Sequence, residues 1–276
     1  MADMYGSHFE YAGVLSRLHG LVIVNVGTSR FTRLSGEIKG NTIFNKNSKQ
    51  QLLTGNDYSS FPVSFDVDII TDNEKGIPLH ERRVIEKWLF NRREYKKLYI
   101  DNGVWDDPYS EAHELVDGVE KRLYLNCRFL NPEKLEYNGG IVGYKATLEA
   151  DSGLWWQDEI EKTFFRTTDG TWRMTVNVDT DLDDYTYPKV NIRTGSKGGE
   201  ITIVNTSDDA TRKTKFKDIP PNYEFSINGA YNYVSQNLYG KMMSQFFPRL
   251  LDGDNIITVT GDVAAIVFHY NNRRML

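Results

Sequence analysis

The residues best placed to hold a metal ion form one run, Asp179-Thr180-Asp181-Leu182-Asp183-Asp184. Carboxylates at alternate positions can turn their oxygens towards one calcium ion. A helix–loop–helix calcium site also needs a glycine where Asp184 stands and a carboxylate where Val190 stands. Neither is met, so the run reads as a solvated acidic loop. A second stretch, Gly195-Ser196-Lys197-Gly198-Gly199, has the look of a phosphate cradle. It lacks the spacing to a Gly-Lys-Ser/Thr and falls between two short strand patterns, so it reads as a hairpin turn.

The other chemical types are scattered. The five histidines, His8, His19, His80, His113 and His269, include no pair at the i, i+4 spacing of a helical zinc site. Cys127 is the sole cysteine, which rules out a disulfide within the chain and any cysteine metal cluster. It sits in Leu123–Phe129, where Leu123, Leu125, Cys127 and Phe129 share a face at period two. A small buried strand residue is the reading there. No nucleophile elbow, Walker loop or dinucleotide fingerprint occurs. Carboxylates are plentiful, yet nothing marks two of them as a glycosidase pair. The sequence therefore predicts no catalytic residue, no metal and no cofactor. Trp155, Trp156 and Trp172, with tyrosines nearby, offer one binding chemistry: aromatic faces on which a sugar ring could stack. The competing use of these rings is to fill a core.

The elements that must carry these residues are mostly strands. Phe61–Ile70 alternates, with Phe61, Val63, Phe65, Val67 and Ile69 on one face. Leu21–Val26 is a compact apolar run, and the polar stretch 36–56 reads as a long loop or a flexible hairpin. One helix is predicted over residues 78–93, with Pro78 in its first turn and Val84, Ile85, Trp88 and Leu89 as its buried stripe. Arg82 and Glu86 are spaced as a solvated i, i+4 pair. Asn102-Gly103 between apolar residues signals a tight turn. The long connection 101–118 around it is the predicted partner-contact loop, with Asn102, Gly103, Trp105, Asp106 and Asp107 as its candidate residues.

Residues 151–158 read as a boundary, giving domains 1–152 and 153–276. Beyond it come short strand patterns at 171–178, 187–193, 200–205, 224–228, 231–235, 256–260 and 264–270, separated by turn residues. That spacing predicts an all-β sandwich or barrel. The last two strands, joined just past the Asp252-Gly253-Asp254-Asn255 turn, read as a terminal hairpin. Bulk composition agrees: 276 residues, 13% aromatic, and a net charge of −5 that argues against a general nucleic-acid binder. The start of the chain has no basic, apolar leader pattern, and its apolar runs are too short to span a bilayer.

Taken in order, several stretches resemble the distal tail protein (Dit) family of long-tailed siphophages. They are Phe9–Gly13 followed by Leu18–Ile23, the Phe61–Ile70 strand before Arg83–Leu89, Tyr137–Asp151, Tyr187–Ile192 and Ile201–Asn205. The strongest is Phe247-Pro248-Arg249-Leu250-Leu251-Asp252-Gly253-Asp254-Asn255-Ile256, which is similar to the family's turn into its terminal strands. The acidic run and an expanded connection at 105–118 depart from the family pattern. The resemblance implies a mainly β chain of two domains, a ring-forming N-terminal domain with one α-helix and a galectin-like β-sandwich. It implies no enzymatic activity and no cofactor. Its implied assembly is a homo-hexameric ring in the virion tail tip, assembled in the host cytoplasm, with a central channel for DNA. Implied partners are the tail tube protein, the tape measure and tail-tip proteins, and receptor-binding or baseplate proteins. A carbohydrate-binding sandwich for host recognition is the alternative.

Overall fold

The computed structural model describes residues 8–26, 38–45, 50–58, 63–71, 76–100, 113–116, 119–166, 171–235 and 238–274. The predicted contact residues Asn102, Gly103, Trp105, Asp106 and Asp107 lie outside the described residues. The chain divides into two compact units, 1–156 with 275–276 and 157–274. The described residues are mainly β, with one α-helix.

In the first unit the strands are β1 (Phe9–Tyr11), β2 (Val14–Leu15), β3 (Leu21–Val26), β4 (Ile38–Asn45), β5 (Gln50–Tyr58), β6 (Val63–Thr71), β7 (Lys96–Ile100), β8 (His113–Val116), β9 (Val119–Tyr137) and β10 (Gly140–Ala150). One helix, α1 (Leu79–Leu89), falls between β6 and β7, and a 3-10 turn, Ser16–His19, follows β2. The main sheet runs β2-β1-β7-β9-β10-β6-β3, with β8 paired to β9. Of the two readings of 36–56, the hairpin is the observed one: β4 pairs antiparallel with β5 from Ile38↔Tyr58 to Asn45↔Gln50.

Alternation builds the core. Cross-strand partners Phe129↔Leu148 and Cys127↔Ala150 continue into Tyr144↔Ile69, Ala146↔Val67 and Leu148↔Phe65. All but Phe65 are buried, and Phe65 packs against the same cluster. Cys127 is buried as the period-two reading expected, and its apolar surroundings push the thiol well above its ordinary pKa. The helix lays Ile85, Trp88 and Leu89 on this cluster. The Trp88 ring stacks on Phe9 at 5.8 Å and its indole N–H donates to the Tyr11 carbonyl at 2.8 Å. Such a bond lets a large amphipathic ring be buried without stranding its polar atom.

Two helix expectations need correction. The helix ends at Leu89 rather than 93, and Pro78 is its extended N-cap, with φ −61° and ψ 150°. Val84 is 52% exposed instead of buried. At about 100° per residue it lies at the margin of the stripe centred on Ile85, Trp88 and Leu89, so the sheet covers those three and leaves it out.

Between the units' cores in sequence lies β11 (Trp155–Gln157). The second unit contains β12 (Ile160–Phe165), β13 (Trp172–Val178), β14 (Lys189–Thr194), β15 (Gly199–Asn205), β16 (Lys213–Ile219), β17 (Glu224–Asn228), β18 (Tyr233–Val234), β19 (Gly253–Gly261), β20 (Val263–Tyr270) and β21 (Arg273–Arg274). Two antiparallel sheets form a sandwich: a five-stranded sheet β12-β20-β14-β17-β18 and a four-stranded sheet β13-β19-β15-β16. Buried Val176, Ile203, Ile257 and Val259 come from the second sheet, and Val190, Ile192, Ile266 and Phe268 from the first.

The terminal hairpin is corrected by this topology. Strands β19 and β20 are consecutive, yet they belong to opposite sheets. The chain arches from one layer to the other through Asp262. The Gly195–Gly199 stretch is also an arch, since β14 and β15 lie in different sheets.

Candidate assembly surface

Both arches meet at one corner. The Asp262 carboxylate accepts from the backbone N–H groups of Lys197 at 2.6 Å and Gly198 at 2.9 Å. The Gly195 N–H donates to the Asp262 carbonyl at 2.9 Å. The stretch that looked like a phosphate cradle does bind an anion, namely the chain's own carboxylate. A Cβ on Gly195 would lie 2.3 Å from that carboxylate, and one on Gly261 would lie 2.1 Å from the Glu200 carbonyl oxygen. Gly261 also adopts φ +108°, a conformation open to glycine and strained for other residues.

The turn ahead of β19 is organised by Asn255, which is fully buried. Its side-chain oxygen accepts from Leu251 N–H and from the Asn205 amide, both at 2.8 Å. Its NH2 donates to the carbonyls of Leu251 at 2.8 Å and Gly253 at 3.0 Å. Beside it the Arg249 guanidinium makes a two-pronged pair with Asp208, at 2.7 and 3.0 Å, and lies 3.6 Å from the centre of the Tyr185 ring. The Asp208 carboxylate raises the Arg249 pKa further above its ordinary value.

The acidic run is an exposed loop, as expected, with all four carboxylates at the surface, but part of it is also tied to the end of the chain. Arg274, buried at 8% exposure, donates to the Asp179 carboxylate at 2.7 and 3.3 Å, to the Asp179 carbonyl at 2.8 Å and to Asp181 at 3.2 Å. The Asp181 N–H and the Thr180 hydroxyl both donate to the Arg273 carbonyl at 3.0 Å. Leu182 is buried between the acids. The run is thus a clamp on β21. Among the described residues, no group of three or more metal-ligating side chains forms.

The tryptophans separate. Trp155 is 6% exposed and belongs to the first unit's core cluster, while its neighbour Trp156 points to the opposite face of β11. Trp172 begins β13 in the second unit, opposite Val259. Trp155 and Trp156 therefore do not share one stacking platform. His269 sits on the outer face of β20, with its ring 2.9 Å from the Asn191 amide and 3.4 Å from Glu159.

On the first unit α1 runs beside β2 and the 3-10 turn. A groove of about 540 Å³ there is lined by Val14, His19, Arg83, Val84, Lys87, Trp88, Asn91 and Arg92. Trp88 forms its apolar floor, with the His19 ring 5.2 Å away. Val84, which lines the groove, is 52% exposed, and Leu15, Leu18 and Leu79, on the same β2, 3-10 turn and α1 elements, are 45, 72 and 62% exposed. Single exposed leucines need no explanation; a contiguous apolar patch is what would distinguish an interaction surface. The lining carries three fixed cations and no carboxylate. The helix stripe was legible in the sequence. The exposed leucines were not, because an outward leucine has the same letter as a core one.

A family model described as a phage tail protein N-terminal domain matches residues 4–152, and one described as a phage tail C-terminal domain matches residues 155–270. The chain belongs to this phage tail protein family. No curated protein matches the sequence. Among solved structures, this phage tail protein is similar to the Dit (gp 19.1) protein of SPP1, described as a paradigm of the hub adsorption apparatus in phages infecting Gram-positive bacteria. The TM-score is 0.62 at 12% identity, covering 97% of this chain and 99% of that one. It is also similar to a chain of the phage P2 baseplate in its activated conformation with Ca, at TM-score 0.51 and 8% identity, covering 99% and 100%. The fold of this phage tail protein is therefore Dit-like, in agreement with the resemblance read from the sequence.

Proposed function

We propose that this chain is a structural, non-enzymatic hub at the tip of a siphophage tail. Its copies close into a hexameric ring whose channel passes the tape measure and then DNA. The ring joins the tail tube to tail-tip, baseplate or receptor-binding proteins. The observation that carries this reading is the end-to-end similarity to a hub protein: both units align, in order, with 99% of the SPP1 Dit chain. The first unit would form the ring and the sandwich would face outward.

A closed ring needs a heterologous contact, in which one patch meets a different patch on the next copy. The groove of α1, with exposed leucines on the elements that form it, is the first-unit surface best suited to be one half of that contact. The test is the mass of the purified full chain by light scattering, with negative-stain images of the same sample, alone and mixed with the tail tube protein. Six copies of the 31.8 kDa chain around an open centre are expected. A monomer under both conditions would overturn the reading.

A further inference from the structure

The outer face of the five-stranded sheet carries a second surface. Its register can be read across the strands: Phe165↔Ala265↔Arg193↔Glu224 forms one row and Thr163↔Val267↔Asn191↔Ser226 the next. A depression of about 480 Å³ lies over these two rows. That is within the range of about 300–1,000 Å³ typical of small-ligand sites. Phe165 stands at one end of the first row with 65% of its surface exposed. Glu161↔His269↔Lys189↔Asn228 continues the grid as a third row.

Arg193 and Glu224 are direct cross-strand partners, and opposite charges so placed ordinarily pair. They do not pair here. Among the described residues neither side chain has a hydrogen-bond or ion-pair partner. Both face the depression, with the Asn191 amide beside them and held 2.9 Å from His269. The guanidinium presents a planar fork of donors and the carboxylate two acceptors. Their charges cancel.

We infer that this face binds a neutral saccharide. Neighbouring hydroxyls on a sugar ring donate and accept at once, which suits a forked donor opposite a two-oxygen acceptor. The apolar C–H face of the ring suits the exposed Phe165. Other occupants fit less well. A phosphate-rich ligand would meet the Glu224 carboxylate. A peptide strand laid over the middle of the depression would find no free backbone, because β14 and β20 are paired on both sides and only the outer edge of β12, at its margin, is open. A protein partner would find only Ala265 and Val267 as apolar ground in the middle of the grid. A sandwich fold by itself implies no ligand; the side chains of this face do. None of the three tryptophans is among its lining residues.

The full chain would be applied to an array of neutral oligosaccharides built of glucose, galactose, N-acetylglucosamine and rhamnose, with phosphodiester-linked polyols for comparison. Retained glycans would be titrated by calorimetry. Retention of at least one neutral oligosaccharide is expected. Arg193→Ala and Glu224→Gln should each weaken it about tenfold or more, as loss of a hydrogen bond to a charged group does. Phe165→Ala should weaken it as well. Thr175→Ala, on the exposed face of the opposite sheet, should bind as the unaltered chain does. These side chains are on the surface, so thermal unfolding midpoints should stay within a few degrees and separate lost binding from lost folding. Retention of no neutral glycan would overturn the proposal, as would equal binding by all variants. Retention of the anionic polyols alone would overturn it too. Protection of this face only when another tail protein is added would assign it to a protein partner instead.

Discussion

Asn255 shows how much one side chain can hold. It is buried and makes four hydrogen bonds, two to Leu251 in the turn ahead of β19, one to Gly253 at the start of β19 and one to Asn205 of β15. Asn255→Ala removes all four and leaves backbone donors and acceptors unpaired away from water. Each such loss costs about 1–3 kcal/mol, and shared relaxation makes the sum smaller than the parts. The expected destabilisation is about 3 kcal/mol or more, read as a lower urea midpoint at unchanged slope. Tyr270 gives a residue-level pH effect. Its hydroxyl donates to the Asn177 carbonyl, and burial pushes its pKa up to about 12. An unfolded tyrosine ionises near pH 10. The folded state therefore binds the phenolic proton more tightly. The stability this represents is fully present below about pH 10 and is lost as pH rises through about 12. Thermal midpoints measured from neutral pH to about pH 12 should fall in that window, and Tyr270→Phe should flatten part of the fall. Burial raises Tyr11 and Tyr144 in the same direction, so the decline should not vanish altogether.

At the scale of elements, the sequence showed where strands are better than which strands pair. The patterns at 171–178, 200–205, 224–228 and 264–270 became β13, β15, β17 and β20 within a residue or two. Two strands of the sandwich sheets went unread. In β16, Lys213, Lys215 and Lys217 occupy alternate positions, so only Thr214, Phe216 and Ile219 turn inward. Charge of that kind is what an edge strand uses to resist unwanted pairing, and it hides the apolar period. In β12 the outward Phe165 breaks the alternation. The two supposed hairpins failed for a different reason. Consecutive strands usually pair, and a short polar connection looks the same whether it turns within a layer or crosses between layers. What decides it here is the Asp262 carboxylate capping the Lys197 and Gly198 N–H groups, a contact across more than sixty residues that no local pattern encodes. The α1 groove can be tested as an element. Leu18→Asp changes a side chain that is 72% exposed, so stability should move by no more than about 0.5 kcal/mol. Ring formation should nevertheless fail by light scattering. Trp88→Ala, at the buried floor of the same groove, should instead cost about 3–5 kcal/mol and lower the unfolding midpoint.

For the whole molecule, the division of labour follows from where each kind of surface lies. Exposed Val84 and three cations, Arg83, Lys87 and Arg92, line a groove of the first unit. The second unit holds its own core, and it ties down β21 through Arg274 and the acidic run. Each family model covers one of these regions, 4–152 and 155–270. A unit with its own core and internal ties can fold alone. We propose that ring closure belongs to residues 1–152 and outward attachment to residues 153–276. Expressed separately, the second piece should fold cooperatively and remain a monomer in light scattering. Ending it before Arg273 should lower its midpoint, because the Asp179 and Asp181 carboxylates then lose their buried cation. The first piece should assemble as the full chain does, and Leu18→Asp should abolish that assembly there too. A second piece that formed rings by itself would move the contact to the sandwich. The α1 groove would then be a surface for a different tail protein.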